Sequence, residues 1–265
     1  MRTLKLTIAY DGTRYAGWQA QERRRQTSDI RRQTSDVRRQ QRPTIQGTLE
    51  RVLQKILREP VKVIGSGRTD AGVHACAQVA HLKTGSTIAC ERLLRSVNAL
   101  LPPDIAVTAV DEADEAFHAR FTACRKRYRY RVFTGAVVPP FIRPYVHHVR
   151  APLNLALMRR EAALLKGAHD FKAFARAGGV PRAITRRRIT QVELRRRGEE
   201  IQLDLEGNGF LRMMVRSITG TLIDVGRGHR PPGTTRRMLD TGDRRLAGAT
   251  APPRGLTLVS VAYKP

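Results

Sequence analysis

The hydrophobic pattern of this 265-residue sequence changes between a period of two, typical of strands, and a period near 3.6, typical of helices. In order, the first half predicts a strand at 4–10, a helix between Thr44 and Pro60, extended segments around a loop at 65–72, a helix ending before Pro102, and a strand at 105–109. This order predicts a sheet with helices packed against it.

The second half repeats the same order. It predicts a strand at 128–132, a helix after Pro152 to about 166, strands near 192–194 and 201–205 around a turn at Gly198, a helix through 211–222, and a strand at 259–263. The chain is therefore predicted to be an α/β (α+β) protein with two similar halves, each a mainly antiparallel sheet with helices on one face. An acidic stretch at 111–115 places the predicted domains at 1–114 and 115–265.

The charge is strongly unbalanced. Lys and Arg number 49 against 23 Asp and Glu, which gives a net charge of +26. Such a charge opposes compaction, but it becomes useful when a polyanion is neutralised and its counterions are released. We therefore expect a polyanionic partner, and the alternative is an arginine-rich composition without a functional role.

No run of about 18 apolar residues occurs, and the first eight residues alternate apolar with polar. We therefore expect a soluble cytoplasmic protein without a membrane partner. The cysteines, Cys76, Cys90 and Cys124, are odd in number and form no CxxC pair, so we expect reduced thiols. We also expect no metal site, although His74 lies two residues from Cys76.

The segment from Gly65 to His74 contains three glycines and two opposite charges, Arg68 and Asp70. Glycine lets a backbone turn tightly and lets a ligand approach it closely. One interpretation is a carboxylate that is kept ionised beside an anionic substrate. The alternative is a surface turn with a solvated ion pair, which stabilises little. The glycine spacing does not match a nucleotide-binding GxGxxG loop.

The same segment, GRTDAGVHACAQVAH at 67–81, resembles the signature loop of the TruA-type tRNA pseudouridine synthases. The resemblance covers nearly the whole chain, with further motifs YDGT at 10–13, GWQ at 17–19, QGTLE at 46–50, FHARF at 117–121, KRYRY at 126–130, NGFL at 208–211 and MVR at 214–216. It implies a pseudouridine synthase fold with a central RNA-binding cleft. It also implies isomerisation of uridine to pseudouridine at nucleotides 38, 39 and 40 of the tRNA anticodon stem-loop, by a homodimer without cofactor or metal.

The resemblance also implies roles for particular residues. Asp70 matches the catalytic aspartate, Tyr128 the tyrosine that packs on the target base, and Arg216 the arginine that pairs with the aspartate. We place Arg68 with Tyr128 and Arg216 among the substrate-binding residues. The chain departs from the family pattern at Leu82, where Phe is usual, and in an insertion after Gln19.

The residues themselves leave alternatives open. Tyr128 could be an inward-facing core tyrosine, although Tyr130 on the same strand face suits that place better. Arg216 lies off the apolar stripe of its helix, so we expect it to point away from the hydrophobic core, and a solvated arginine fits as well. The function also has alternatives: a non-catalytic RNA-binding protein on the same scaffold, or a synthase with different target uridines.

The insertion, at about 22–42, contains a tandem heptad in which Arg24–Ile30 is repeated as Arg31–Val37. One apolar residue per heptad is too few for a coiled-coil seam. We interpret it as a repeat expansion tolerated in a surface loop, because loop insertions cost little free energy. The alternative is a basic arm that contacts the tRNA backbone.

Overall fold

The computed structural model describes residues 1–19, 42–176 and 185–264, so the tandem heptad lies outside the described residues. These residues form two compact units. Unit 1 comprises Met1–His74 and Val79–Arg120, and unit 2 comprises Ala75–Gln78 and Phe121–Pro265. The described residues contain ten strands and five α-helices, which confirms the mixed α/β class. The domain boundary after residue 114 stays a prediction.

The regular elements of unit 1 are β1 (Arg2–Tyr10), α1 (Ile45–Leu57), β2 (Ile64–Gly65), most of β3 (His74–Thr84), α2 (Cys90–Leu100) and β4 (Ile105–Ala113). Residues Ala75–Gln78 of β3 belong to unit 2. Strand β1 pairs antiparallel with β4, and β2 pairs antiparallel with β3. A short 3-10 helix, Gly12–Arg14, follows β1. The strands and both helices predicted for this half are therefore present.

The alternating pattern of β1 explains the core of unit 1. Leu4, Leu6 and Ile8 point to one face of the strand and are completely buried. Helix α1 begins at the Thr44 cap, whose hydroxyl accepts a hydrogen bond from Gly47 N at 3.1 Å. It ends at Arg58, which adopts the left-handed conformation with φ of 57°. Both ends of the predicted helix therefore have a local chemical cause.

The regular elements of unit 2 are β5 (Ala123–Phe133), β6 (His147–His148), α3 (Leu155–Ala163), β7 (Gly167–Asp170), β8 (Arg186–Arg197), β9 (Glu200–Gly207), α4 (Met214–Gly226), α5 (Thr234–Thr241) and β10 (Leu256–Tyr263). The strand order is β10-β5-β9-β8-β7, with antiparallel neighbours wherever the pairing is described. The short β6 pairs parallel with β5. The predicted turn between β8 and β9 is confirmed, with Gly198 at φ of 57°.

Strand β5 has two chemically different faces. Tyr130 and Val132 are buried on one face, while arginines alternate on the other. Arg129 donates two hydrogen bonds to Asp204 of β9, from Nε at 3.0 Å and from Nη2 at 3.1 Å. Arg127 Nε lies 3.4 Å from the same carboxylate. Asp204 is only 2% exposed, so this carboxylate depends on the two arginines for its charge compensation.

A second ion pair lies on the same face of the sheet, further along β5 and β9. Arg131 donates to both oxygens of Glu200, at 2.9 and 2.6 Å. Burial raises the pKa of Glu200, but the hydrogen bonds from Arg131 and Gln202 outweigh it and hold the pKa below its usual value. The arginines of β5 are therefore largely committed to acidic partners in their own sheet.

We predict that Asp204→Ala lowers the free energy of unfolding by about 2–4 kcal/mol. Removing one partner of a fully buried pair costs about 3–5 kcal/mol, and the value is discounted because the arginine side chains are about a third exposed. Urea unfolding followed by circular dichroism measures the change. The control is Glu193→Ala. Glu193 lies opposite Asp204 on the neighbouring strand β8, and its more exposed carboxylate pairs with Arg195. Equal shifts in the two variants would contradict a special role for Asp204.

Candidate active site

The loop between β2 and β3 is a tight, well-defined turn. Ser66 N donates to Val79 O at 2.7 Å, which fixes the start of the loop. Val73 N donates to Asp70 O at 3.1 Å, and Gly72 between them has φ of 77°, as the third position of a type II turn requires. Asp70 is half-buried, whereas Arg68 is exposed. The turn therefore fixes the backbone that carries the Asp70 carboxylate.

Residues 10–18 pack against this loop and hold its backbone in place. Trp18 N donates to Thr69 O at 3.1 Å, and the Tyr10 hydroxyl lies 2.9 Å from the Thr69 hydroxyl, within hydrogen-bonding distance. At Gly17, a Cβ atom would lie 2.5 Å from Thr69 O and 3.0 Å from the carbonyl carbon of Asp70. Only glycine therefore allows this segment to lie directly against the backbone of Asp70.

His74, at the end of the loop, is buried and has a structural role. Its Nδ1 accepts a hydrogen bond from Gly12 N at 3.2 Å, and the same atom lies 3.1 Å from Asp11 Oδ1. A nitrogen that accepts from Gly12 cannot also donate to Asp11, and Asp11 Oδ1 already accepts from Thr13 N at 2.9 Å. Gly12 and Asp11 therefore compete for the same ring nitrogen, and both contacts hold His74 against the segment that follows β1.

In the ranges 1–19, 42–176 and 185–264, no three His, Cys, Asp or Glu side chains are grouped so that they could hold a metal ion. The three cysteines are free thiols. The same residues contain no helix that is long and apolar enough to cross a membrane.

Tyr128 and Tyr130 lie on the same face of β5 but in different surroundings. Tyr130 is completely buried, and its hydroxyl donates to Pro252 O at 2.7 Å, so the prediction that it is a core residue is confirmed. Burial also raises the pKa of Tyr130, which keeps the hydroxyl protonated. Tyr128 is only half-buried and meets Phe210 edge to face, with 5.1 Å between the ring centroids.

Arg216 lies near the start of α4, and its position corrects the expectation that it points away from the hydrophobic core. The side chain is 9% exposed, and its Nε donates to Ala251 O at 2.8 Å. Of the residues in α4, only Asp224 is not buried, because the helix contacts α3, α5 and β5. The prediction from the apolar stripe assumed that only one face of the helix is buried, whereas this helix is buried on all sides.

The predicted site residues therefore lie in two places. Arg68 and Asp70 belong to one loop of unit 1, and Tyr128 and Arg216 belong to unit 2. The sequence did not predict the supporting roles of Tyr10 and Gly17. Tyr10 contacts the Thr69 hydroxyl, and Gly17 packs against the backbone of Thr69 and Asp70. The signal in the sequence was a glycine next to the single tryptophan of the chain, since a glycine often marks close approach of a backbone.

A family model described as tRNA pseudouridine synthase matches residues 6–122 and 162–264. The chain belongs to this family. It is 43% identical to tRNA pseudouridine synthase A of Geobacter sulfurreducens over 263 residues, which cover 99% of this chain and 100% of the relative. It is 42% identical to tRNA pseudouridine synthase A of Exiguobacterium sp., covering 100% and 99% of the two chains. It is 40% identical to tRNA pseudouridine synthase A 2 of Clostridium perfringens, covering 99% and 100%.

We predict that Tyr10→Phe lowers turnover about tenfold and the free energy of unfolding by about 1 kcal/mol. The change removes the partner of the buried Thr69 hydroxyl and loosens the residue next to Asp70. Single-turnover kinetics and urea unfolding measure the two effects. Tyr130→Phe is the matched control, because it also loses a buried tyrosine hydrogen bond but not one to the loop. Equal turnover in the two variants would refute the bracing role of Tyr10.

Proposed function

We propose that this protein isomerises uridine to pseudouridine at positions 38, 39 and 40 of the tRNA anticodon stem-loop, with Asp70 as the catalytic carboxylate. The observation that carries the proposal is the turn that holds Asp70 half-buried, with Gly17 packed against its backbone. Membership of the tRNA pseudouridine synthase family supports it. We also propose that the enzyme is a cytoplasmic homodimer that uses no cofactor.

The reaction explains why a single carboxylate suffices. The bond between uracil N1 and ribose C1′ breaks, the base turns, and C5 of the same base bonds to C1′; N1 gains a proton and C5 loses one. No redox partner and no hydrolytic water are needed, so the site requires one nucleophile or base in a dry pocket. A glycoside hydrolase ordinarily uses two facing carboxylates, and Asp70 is the only acidic residue in segment 65–74.

Three routes are chemically available to the carboxylate: attack on C1′, addition to the base, or abstraction of a sugar proton. Each route begins with ionised Asp70. We propose that Arg216 pairs with this carboxylate. The bond from its Nε to Ala251 O fixes the orientation of the guanidinium group, which suits an arginine with a positioning role.

The target base must leave its stack before the carboxylate can reach the sugar. An aromatic ring that stacks on the displaced base contributes about 1–3 kcal/mol. We propose that Tyr128 supplies this ring, because it is half-buried and is steadied by the edge-to-face contact with Phe210. We propose that the exposed Arg68 contacts an RNA phosphate beside the target nucleotide.

We predict that Asp70→Asn lowers turnover at least about a thousandfold, or about 4 kcal/mol of barrier. The amide keeps the size of the side chain but lacks its negative charge, and tRNA binding should stay close to that of the parent. Single-turnover release of tritium from tRNA labelled at uridine C5 measures the chemistry, and filter binding on the same protein measures affinity. The control is Asp240→Asn, an exposed carboxylate on α5.

Near-parent tritium release from Asp70→Asn would refute the catalytic assignment. Loss of binding together with loss of turnover would instead indicate that Asp70 has a structural ion pair. A parent protein that binds tRNA but releases no tritium would favour the alternative of a non-catalytic RNA-binding protein.

We also predict that Tyr128→Phe and Tyr128→Ala differ in their affinity for tRNA. Phenylalanine keeps the ring face that stacks on the base, so binding should stay close to that of the parent; alanine should lose about 1–3 kcal/mol of stacking. Tritium release separates the ring from the hydroxyl, because only a proton-transfer role would make Tyr128→Phe slow. Normal turnover by both variants would show that Tyr128 has no part in the site.

A further inference from the structure

Unit 1 contains an open groove of about 700 Å³ that has no role in the chemistry described above. It lies between the short 3-10 helix after β1, the outer side of α1 and the chain that follows α2. Its lining includes three cationic side chains, Arg14, Arg51 and Lys55, and one carboxylate, Asp104. It also includes the apolar residues Val52, Leu100, Leu101 and Pro102.

The single carboxylate of the groove is already neutralised. Arg14 donates to Asp104 Oδ2 from Nε at 3.0 Å and from Nη2 at 2.7 Å. The Tyr15 hydroxyl donates to the other oxygen, Oδ1, at 2.5 Å. Asp104 is therefore held by two partners and does not add an uncompensated negative charge to the groove.

The other two cations are not compensated in this way. Arg51 and Lys55 are exposed and lie one turn apart on α1, about 6 Å along its axis. Within the described parts of the chain, neither side chain forms an ion pair with an acidic residue. The lining therefore has a net charge of +2, from three cations and one carboxylate, and this charge suits an anionic occupant.

The apolar residues of the lining narrow the choice of anion. Leu100 is 46% exposed, although it is a large apolar side chain at the end of a helix. A lining that combines apolar and cationic side chains fits a polymer whose ribose and base surfaces are less polar than its phosphates. A symmetric contact between two copies at this groove fits poorly, because it would place the cations of one copy against those of the other.

The groove also lies close to the catalytic loop. Tyr15 lines the groove, and Trp18, three residues later, donates its backbone N–H to Thr69 beside Asp70. Three residues span at most about 10 Å. A nucleotide bound at Asp70 would therefore have neighbouring nucleotides within reach of the groove.

We propose that this groove binds the ribose-phosphate backbone of the tRNA substrate a few nucleotides from the target uridine, with Arg51 and Lys55 contacting phosphates. The proposal rests on the proposed function for the identity of the RNA. Contacts of this kind fix the register of the RNA and do not read its sequence. The groove would thus help to select which uridine reaches Asp70.

The test measures the affinity of the full chain for an unmodified tRNA transcript by filter binding at several salt concentrations. Arg51→Gln combined with Lys55→Gln should raise Kd about tenfold at low salt. It should also reduce the slope of log affinity against log salt by about 1 for each phosphate that the variant no longer neutralises. Leu100→Glu changes a half-exposed position that tolerates a charge. It should weaken binding by a comparable factor, because it places a carboxylate in the groove, where it would repel phosphates.

The matched control is Arg236→Gln combined with Arg237→Gln, which removes two exposed charges from α5. A salt slope for the groove variant equal to that of this control would overturn the proposal. So would unchanged tRNA affinity accompanied by a change from dimer to monomer in sedimentation, because the groove would then be a protein interface. The assay needs no turnover, so absence of tritium release from the parent would count against the proposed function only.

Discussion

The close approach of two backbone segments, 11–18 and 66–73, is the constraint on which the candidate site depends. Gly12 lies so close to Val73 that a Cβ atom would be 2.0 Å from its carbonyl oxygen, and Gly17 lies similarly close to the backbone around Asp70. A larger residue at either position would displace the loop and its carboxylate together. The backbone position of Asp70 therefore depends on close packing between the two segments.

Electrostatics divides the cationic side chains into two groups. On β5 the arginines pair with Asp204 and Glu200 in their own sheet, so their charges stabilise the fold and are less available to RNA. On α1, Arg51 and Lys55 are exposed and have no such acidic partner among the residues that the structure describes. A net charge of +26 favours a polyanionic partner in general, whereas the pairing in the structure distinguishes cations with acidic partners from those without.

Hydrophobic period predicted most of the regular elements because β1, α1 and α2 each bury one side against a neighbour. It missed α5, which is only eight residues long. It also missed the short strands β6 and β7, which depend on pairing with β5 and β8. It misplaced Arg216 because a helical wheel cannot reveal that several elements surround α4. Asp70 was predicted from its motif, and its role stays a prediction. The hydrogen bond between Tyr10 and Thr69 joins residues 59 positions apart, so no local sequence pattern indicates it.

The segment 11–18 has a different contact on each side, and this affects how variants of it can be interpreted. Gly17 and Trp18 contact the loop that carries Asp70, while Arg14 and Tyr15 line the proposed RNA groove. Asp104 ties the second pair to the chain after α2, because it accepts hydrogen bonds from both Arg14 and Tyr15. A change anywhere in this segment can therefore move the groove and the loop together. Substitutions on α1, which leave the segment intact, are the ones that separate RNA affinity from chemistry.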